Sequence, residues 1–151
     1  MKNFIDLFFN YILVSALISW FFAQLIKFIL TLISTGKAMP ERLVGSGGMP
    51  SSHTALVCGA TIAAAKLEGT SSPIFAICFI LACIVIYDAM NVRWEAGVHA
   101  KVINKMIKSD DDLTELEDVE LKEKLGHTPL EVLGGALLGI LVPMIIGVIV
   151  Y

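Results

Sequence analysis

The stretch YILVSALISWFFAQLIKFILTLIS, running from Tyr11 to Ser34, carries a single formal charge, Lys27. About 20 apolar residues suffice to take a helix across the hydrocarbon core of a bilayer, so this stretch reads as a membrane span. It is too long for the core of a signal peptide, and no small-residue cleavage site follows it. Its apolar character reaches back to near Phe4. Three further apolar segments follow. His53–Ala65 is rich in Ala and Gly. At ~1.5 Å per residue it reaches only about two thirds of a hydrocarbon core, so a short span, a re-entrant helix and a span lengthened by its flanks are all open. Pro73–Tyr87 opens on a proline, which suits a first helical turn. Leu130–Tyr151 is long enough to cross. No internal repeat relates the four. The expected fold is all-α: one membrane domain over residues 1–151, a bundle of about four transmembrane helices. A polar helical loop, about residues 88–129, joins the third helix to the fourth.

Composition points the same way. Of the residues, 56% are hydrophobic and 17% charged, where a soluble domain has about a quarter charged. This excludes an ordinary soluble enzyme and a disordered chain. Eleven bases against 14 acids give a net charge of −3, and no basic stripe suggests nucleic acid as a partner. Cys58, Cys78 and Cys83 lie in apolar runs without a Cys-x-x-Cys pair or Cys/His ligand spacing. They read as small core or lipid-facing residues rather than a disulfide framework or a zinc site. Within the polar loop the acids concentrate after Ser109, from Asp110 to Glu123. The spacing of Leu113, Leu116 and Val119 is weakly helical, and Ser109 would cap the start of that helix. A solvated amphipathic helix is preferred there over a cation-binding tail. Lys37 and Arg42 follow the first segment; Arg93, Lys101, Lys105, Lys108, Lys122 and Lys124 follow the third. The opposite side holds only Lys2 and Lys66. If all four segments cross, the positive-inside rule puts the richer loops in the cytoplasm of a cell-membrane protein.

Two stretches carry chemistry. The first is Gly45-Ser-Gly-Gly-Met-Pro-Ser-Ser-His53. Its glycines let the backbone turn tightly, and a helix starting at Ser51 or Ser52 would aim free N–H groups at one point, which favours an anion. His53 there could give a proton to a leaving oxygen. A flexible turn with a serine cap explains the same residues. The second is Gly126-His-Thr-Pro-Leu-Glu131. His127 and Glu131 are four apart and can meet at a helix start. A carboxylate on Nδ1 would orient the ring and leave Nε2 to attack. The rival is a capping box, Thr128-Pro-Leu-Glu131, with proline at the first helical position; one carboxylate would serve both roles poorly. Lys27 either snorkels or works in a site. Arg93 could clamp phosphate oxygens, or act as an anchor paired with Asp88. Four alternating spans would gather Lys27, Arg42, His53, Asp88, Arg93 and His127 at one membrane surface.

Gly48-Met-Pro-Ser-Ser-His-Thr-Ala55 resembles the Pro-Ser-Gly-His motif of the type-2 phosphatidic acid phosphatase and vanadium haloperoxidase superfamily. His127-Thr-Pro-Leu-Glu131, followed by Val-Leu-Gly-Gly-Ala, resembles that group's last motif. Together with Trp20–Lys27 and Tyr87-Asp-Ala-Met-Asn-Val-Arg93, these stretches look like its small "divergent" branch, over nearly the whole chain. The resemblance implies hydrolysis of a lipid phosphate or diphosphate through a phosphohistidine. It implies neither metal nor cofactor. His127 would be the nucleophile, Glu131 its orienter and His53 the acid. Ser51 and Ser52 would supply amides, and Lys27, Arg42 and Arg93 would be phosphate clamps.

The chain departs from the pattern in several places. Ser52 stands where glycine is usual and Glu131 where aspartate is usual. Leu121 takes the place of an arginine six residues before His127, and no Lys-x6-Arg-Pro spacing is present. Arg93 and His99 keep the six-residue spacing, but Ile103 follows where an acid belongs, so His99 ranks behind His127 as a nucleophile. The superfamily core has more helices than this chain, which makes a homodimer one way to complete the site. Two rival expectations therefore stand beside the phosphatase. One is a membrane protein that binds phosphorylated lipid head groups without turnover. The other is an assembly subunit using Gly134, Gly135 and Gly139 for helix packing.

Overall fold

The structure is a computed structural model that describes residues 6–38, 40, 47–109, 120–123 and 125–150. Arg42 and the acidic stretch 110–119 lie outside the described residues. Among the described residues a 3-10 turn, Asp6–Phe9, leads into five α-helices: α1 (Tyr11–Thr35), α2 (Ser52–Glu68), α3 (Pro73–Met90), α4 (Val92–Ser109) and α5 (Pro129–Val150). No strand occurs among the described residues. By length and composition, α1, the run Pro73–Ser109 and Pro129–Val148 can each cross a membrane. The protein is a helical membrane bundle.

The helix ends follow from local chemistry. Asn10 caps α1 by accepting from the Leu13 amide at 3.0 Å. Gly36, at φ 67°, closes the helix by returning its N–H to the Leu32 carbonyl, a left-handed stop that glycine adopts at least cost. Ser51 and Ser72 cap α2 and α3, and Pro73 opens α3 as expected.

Contacts at the two ends fix the direction of each helix. At one end the Ser51 amide donates to the Glu131 carbonyl at 2.9 Å, and the His127 amide to Ala89 at 2.9 Å. The starts of α2 and α5 therefore meet the end of α3 there. At the other end the Tyr11 hydroxyl donates to the Pro143 carbonyl, and a Cβ on Gly147 would strike both Tyr11 and Lys66. The start of α1 and the ends of α2 and α5 meet there. Thus α2 accompanies α5 from about Glu131 to about Gly147, roughly 24 Å at ~1.5 Å per residue. The second segment, expected over His53–Ala65, is lengthened by its flanks to Ser52–Glu68 and runs the depth of the bundle, though it is not among the helices long and apolar enough to cross a membrane by themselves.

Packing makes α2 the centre. It lies against α1, α3 and α5, and its buried residues are Ser52, Thr54, Ala55, Val57, Gly59, Thr61, Ala63 and Ala64. These are small, so backbones approach closely, which is how helices associate in lipid. A Cβ on Gly59 would lie 2.6 Å from the Ser19 hydroxyl of α1, and one on Gly139 of α5 would lie 2.7 Å from the Ala55 carbonyl. In α3 only Ala82 and Ala89 are buried.

The polar region after α3 is helical, as expected, but its described helix lies ahead of the one expected from Ser109. Its first half is the 18-residue helix α4. Ser109 ends this helix, with its hydroxyl on the Met106 carbonyl at 3.1 Å; the helix expected to start from it lies outside the described residues.

Candidate functional site

His127 is delivered by a strap that retraces α4. Asn104, buried on α4, donates from Nδ2 to the Leu121 carbonyl at 2.9 Å and to Glu123 Oε1 at 3.0 Å. Its Oδ1 accepts from the Leu121 amide at 2.9 Å. One side-chain amide thus pairs with a backbone as a neighbouring strand would. Two turns earlier on the helix, Gly97 has no Cβ to strike the backbone of Glu123 and Leu125. Gly126, at φ 81°, packs on the backbone of Trp94 at a distance no side chain would allow. The strap then reaches Ala89, whose carbonyl takes the His127 amide.

The His127 side chain is buried, 4% exposed. Its Nδ1 lies 3.2 Å from Glu131 Oε2. The same oxygen accepts the Thr128 amide at 2.9 Å, and the Glu131 amide reaches back to the Thr128 hydroxyl at 3.4 Å. The capping box and the histidine partner, expected to compete, therefore coexist on one carboxylate oxygen. With Nδ1 directed to Glu131, Nε2 is the nitrogen left for another partner. Burial pushes the His127 pKa below its ordinary value; the Glu131 hydrogen bond and charge oppose this, and the positive charges of Lys27 and Arg93 add to it.

His53, in the first turn of α2, brings its ring to 6.5 Å from that of His127, centroid to centroid. Ser51 and Ser52 are fully buried beside it. The Ser51 amide, expected to face an anion, is taken by the Glu131 carbonyl, and its hydroxyl accepts from Thr54. The amides of Ser52 and His53 are the first-turn donors that have no carbonyl in their own helix. Lys27 does not snorkel. It is 2% exposed, and its Nζ donates to Gln24 Oε1 at 2.8 Å. Its stem runs under the glycine loop, where a Cβ on Gly48 would touch it at 3.6 Å. Its charge reaches both histidines.

Arg93 and Asp88 pair, Nε to Oδ2 at 2.5 Å, at the junction of α3 and α4. Arg93 acts electrostatically on both histidines, and Asp88 on His53. His99 stands apart: it is exposed on α4. Six residues of helix turn it about 120° away from Arg93. Thus Lys27, Ser52, His53, Asp88, Arg93, His127 and Glu131 gather at one end of the bundle, and His99 does not join them. Sequence reading missed Gln24, Gly97 and Asn104. For the last two the signal was present, because Gly97, Ala100, Asn104 and Ile107 recur at helical spacing.

Beside this cluster an apolar groove of about 250 Å³ opens between α1 and α5. Ile26 and Leu30 form one wall and Leu137, Leu138 and Leu141 the other; Met49 and Pro50, joined by a cis peptide bond, close one end.

Comparison with known proteins now identifies the lineage. Residues 8–142 match the family described as Divergent PAP2. The chain belongs to that family. It is also 37% identical over 148 residues to a protein of Bacillus subtilis (strain 168) named "Uncharacterized membrane protein YuiD", covering 91% of this chain and 94% of that one. No solved structure matches the chain. The resemblance read from the histidine motifs is thereby established at the level of the family.

Proposed function

We propose that this protein hydrolyses a phosphate or diphosphate ester of a membrane lipid through a phosphohistidine, without a metal ion. The observation that carries the reading is the pairing of buried His127 with Glu131, 6.5 Å from the ring of His53. A carboxylate on Nδ1 holds the tautomer whose Nε2 bears the lone pair. Nε2 attacks phosphorus, the bond from phosphorus to the lipid oxygen breaks, and protonated His53 gives that oxygen its proton. Water then attacks the phosphohistidine, His53 takes the water's proton, and the P–N bond breaks to return His127. The charges of Lys27 and Arg93 and the amides of Ser52 and His53 stabilise the equatorial oxygens. Arg93 uses Nε on Asp88 and keeps its two terminal nitrogens for phosphate. Arg42 remains a clamp candidate from sequence alone.

The apolar groove supports a lipid as the substrate, since Met49 and Pro50 at its end lead directly into Ser51 of the cluster. A chain in the groove would hold its head group beside the histidines. The cytoplasmic orientation of this end rests on the distribution of lysines and arginines. A second reading, head-group binding without turnover, is favoured by Leu121, which occupies the place of the motif arginine and gives its backbone to Asn104. The assembly reading has less support, because Gly135 and Gly139 are already taken up by α2 of the same chain.

The test is phosphate release by purified protein in mixed micelles containing EDTA. Phosphatidic acid, phosphatidylglycerol phosphate and undecaprenyl diphosphate are offered to the native, His127→Ala and His53→Ala proteins. Vanadate-sensitive release that needs both histidines is expected. Head-group binding that survives His127→Ala, with no release from any substrate by folded native protein, would replace hydrolysis with the binding reading.

A further inference from the structure

Helix α4 carries a face that nothing in the described chain covers. Among the helices it packs only against α3. Its buried side, Gly97, Ala100, Asn104 and Ile107, is occupied by the strap that leads to His127. Away from that side Val98, Val102 and Met106 follow one another at four-residue intervals, 42%, 53% and 59% exposed, with exposed Ile103 and Val92 beyond them. One border of this apolar line is basic. At ~100° per residue, Lys101, Lys105 and Lys108 fall within about 60° of each other, and Trp94 shares their border. Lys108 lies 3.7 Å from Glu120, while Lys101 and Lys105 have no ion pair among the described residues. On the same projection Glu95 falls within the arc of the apolar line and His99 between Met106 and Ile103, both in the first half of the helix.

We infer that α4 is an interfacial helix that lies on the bilayer at the histidine end of the bundle. The Val98–Val102–Met106 line enters the boundary between head groups and acyl chains, and the lysine border meets anionic lipid phosphates. Two observations choose a bilayer as the occupant. First, α3 is a membrane span and only Asn91 separates it from α4, so α4 begins where the bilayer ends. Second, an apolar line bordered by lysines and a tryptophan is the arrangement by which a helix rests in the interface plane of an anionic membrane. The opposite side of the same helix holds Leu121, Glu123 and Gly126, so the surface-bound helix is also the support against which the His127 strap is built. This inference stands apart from the proposed hydrolysis and needs no turnover to be tested.

The experiment places a spin label at Val102→Cys, Met106→Cys or Lys105→Cys, one at a time. The full chain is used with Cys58, Cys78 and Cys83 replaced by alanine, and helical content is checked by circular dichroism. The protein is held in nanodiscs of phosphatidylcholine, with and without phosphatidylglycerol. Collisions with oxygen, which partitions into lipid, are compared with collisions with a water-soluble nickel chelate. At Val102 and Met106 oxygen should dominate, and at Lys105 nickel should. Changing Lys101, Lys105 and Lys108 to Gln should move the Val102 label towards water in discs with phosphatidylglycerol. Nickel-dominated collisions at Val102 would overturn the surface placement, as would dipolar broadening there between labels on two copies. Indifference of the Val102 label to both the lysines and phosphatidylglycerol would overturn the assignment of anionic lipid.

Discussion

Helices α2 and α3 have nearly equal lengths, 17 and 18 residues, and opposite fates. The more apolar one, α3, exposes Ile77, Phe79, Ile80, Leu81 and Ile84. The less apolar one, α2, buries a serine, two threonines, a glycine, three alanines and a single valine. In water the ranking would be reversed, because burial there rewards apolar area. In lipid the hydrocarbon is as apolar as leucine, so large aliphatic residues gain nothing by turning inward. Small residues gain close packing, and polar ones gain partners, as Thr61 does on the Val57 and Cys78 carbonyls. The same helix that buries best carries His53 in its first turn, so chemistry and packing share one element.

Breaking that comparison starts at the histidines. If the cluster at the start of α2 and α5 is catalytic, His127→Ala should lower phosphate release by about 10³-fold or more, as expected for loss of a nucleophile. Thermal unfolding in detergent should confirm that the bundle persists. Retention of most of the activity would remove the cluster from the chemistry.

Glu131→Gln is the next largest and carries a pH signature. The nucleophile must be unprotonated, so release rises as pH rises through the His127 pKa. Burial lowers that pKa and Glu131 raises it. Removing the carboxylate charge therefore takes the pKa lower still, and the acidic limb of the pH–rate profile should move to lower pH. The maximal rate should fall by about 10²-fold as the ring loses its orienter. A limb that moves to higher pH would show that Glu131 does not act on His127.

Stability separates the two helices directly. In Gly139→Leu the new side chain strikes Ala55, Cys58 and Gly59 of α2, and overpacking costs about 1–3 kcal/mol. Ile80→Ala on α3 removes nearly as much apolar volume as Gly139→Leu adds, yet the residue is 59% exposed, and such changes stay within about 0.5 kcal/mol. Thermal scans of both variants measure the difference. Equal losses would mean that the exposed face of α3 is an interface rather than a lipid contact.

Much of this organisation was legible before any coordinates. Spans from Tyr11, Pro73 and near Leu130 follow from hydropathy, and the pairing of His127 with Glu131 follows from a four-residue interval. The sharing of one Glu131 oxygen by a ring nitrogen and the Thr128 amide did not follow, because spacing says nothing of which lone pair is used. Lys27 could not be settled either. Snorkelling and burial differ only in whether a neighbour such as Gln24 is present to satisfy the ammonium. Helix α4 was hidden by its lysines: averaged over a window it is polar, and only its periodicity sets Gly97, Ala100, Asn104 and Ile107 on one side. The close passage of the strap over Gly97 lies further out of reach, since it depends on a contact between residues more than 25 apart in sequence.

That contact motivates the smallest effect. Asn104 touches neither histidine, yet it holds Leu121 by both its amide and its carbonyl, six residues before His127. Asn104→Ala leaves those two backbone groups without their partner, at about 1–3 kcal/mol for buried groups. The strap remains tied at Ala89, so His127 should stay near its place but lose precision. A displacement of this kind lowers the rate of the chemical step more than it weakens binding. Release should fall about tenfold with KM little changed, and the acidic limb should stay where it is, because Glu131 still faces the ring. A shifted limb would mean that the strap sets the histidine–carboxylate pairing itself. An unchanged rate would mean that Ala89 and the Trp94–Gly126 contact suffice, and that α4 contributes to the site only through Arg93.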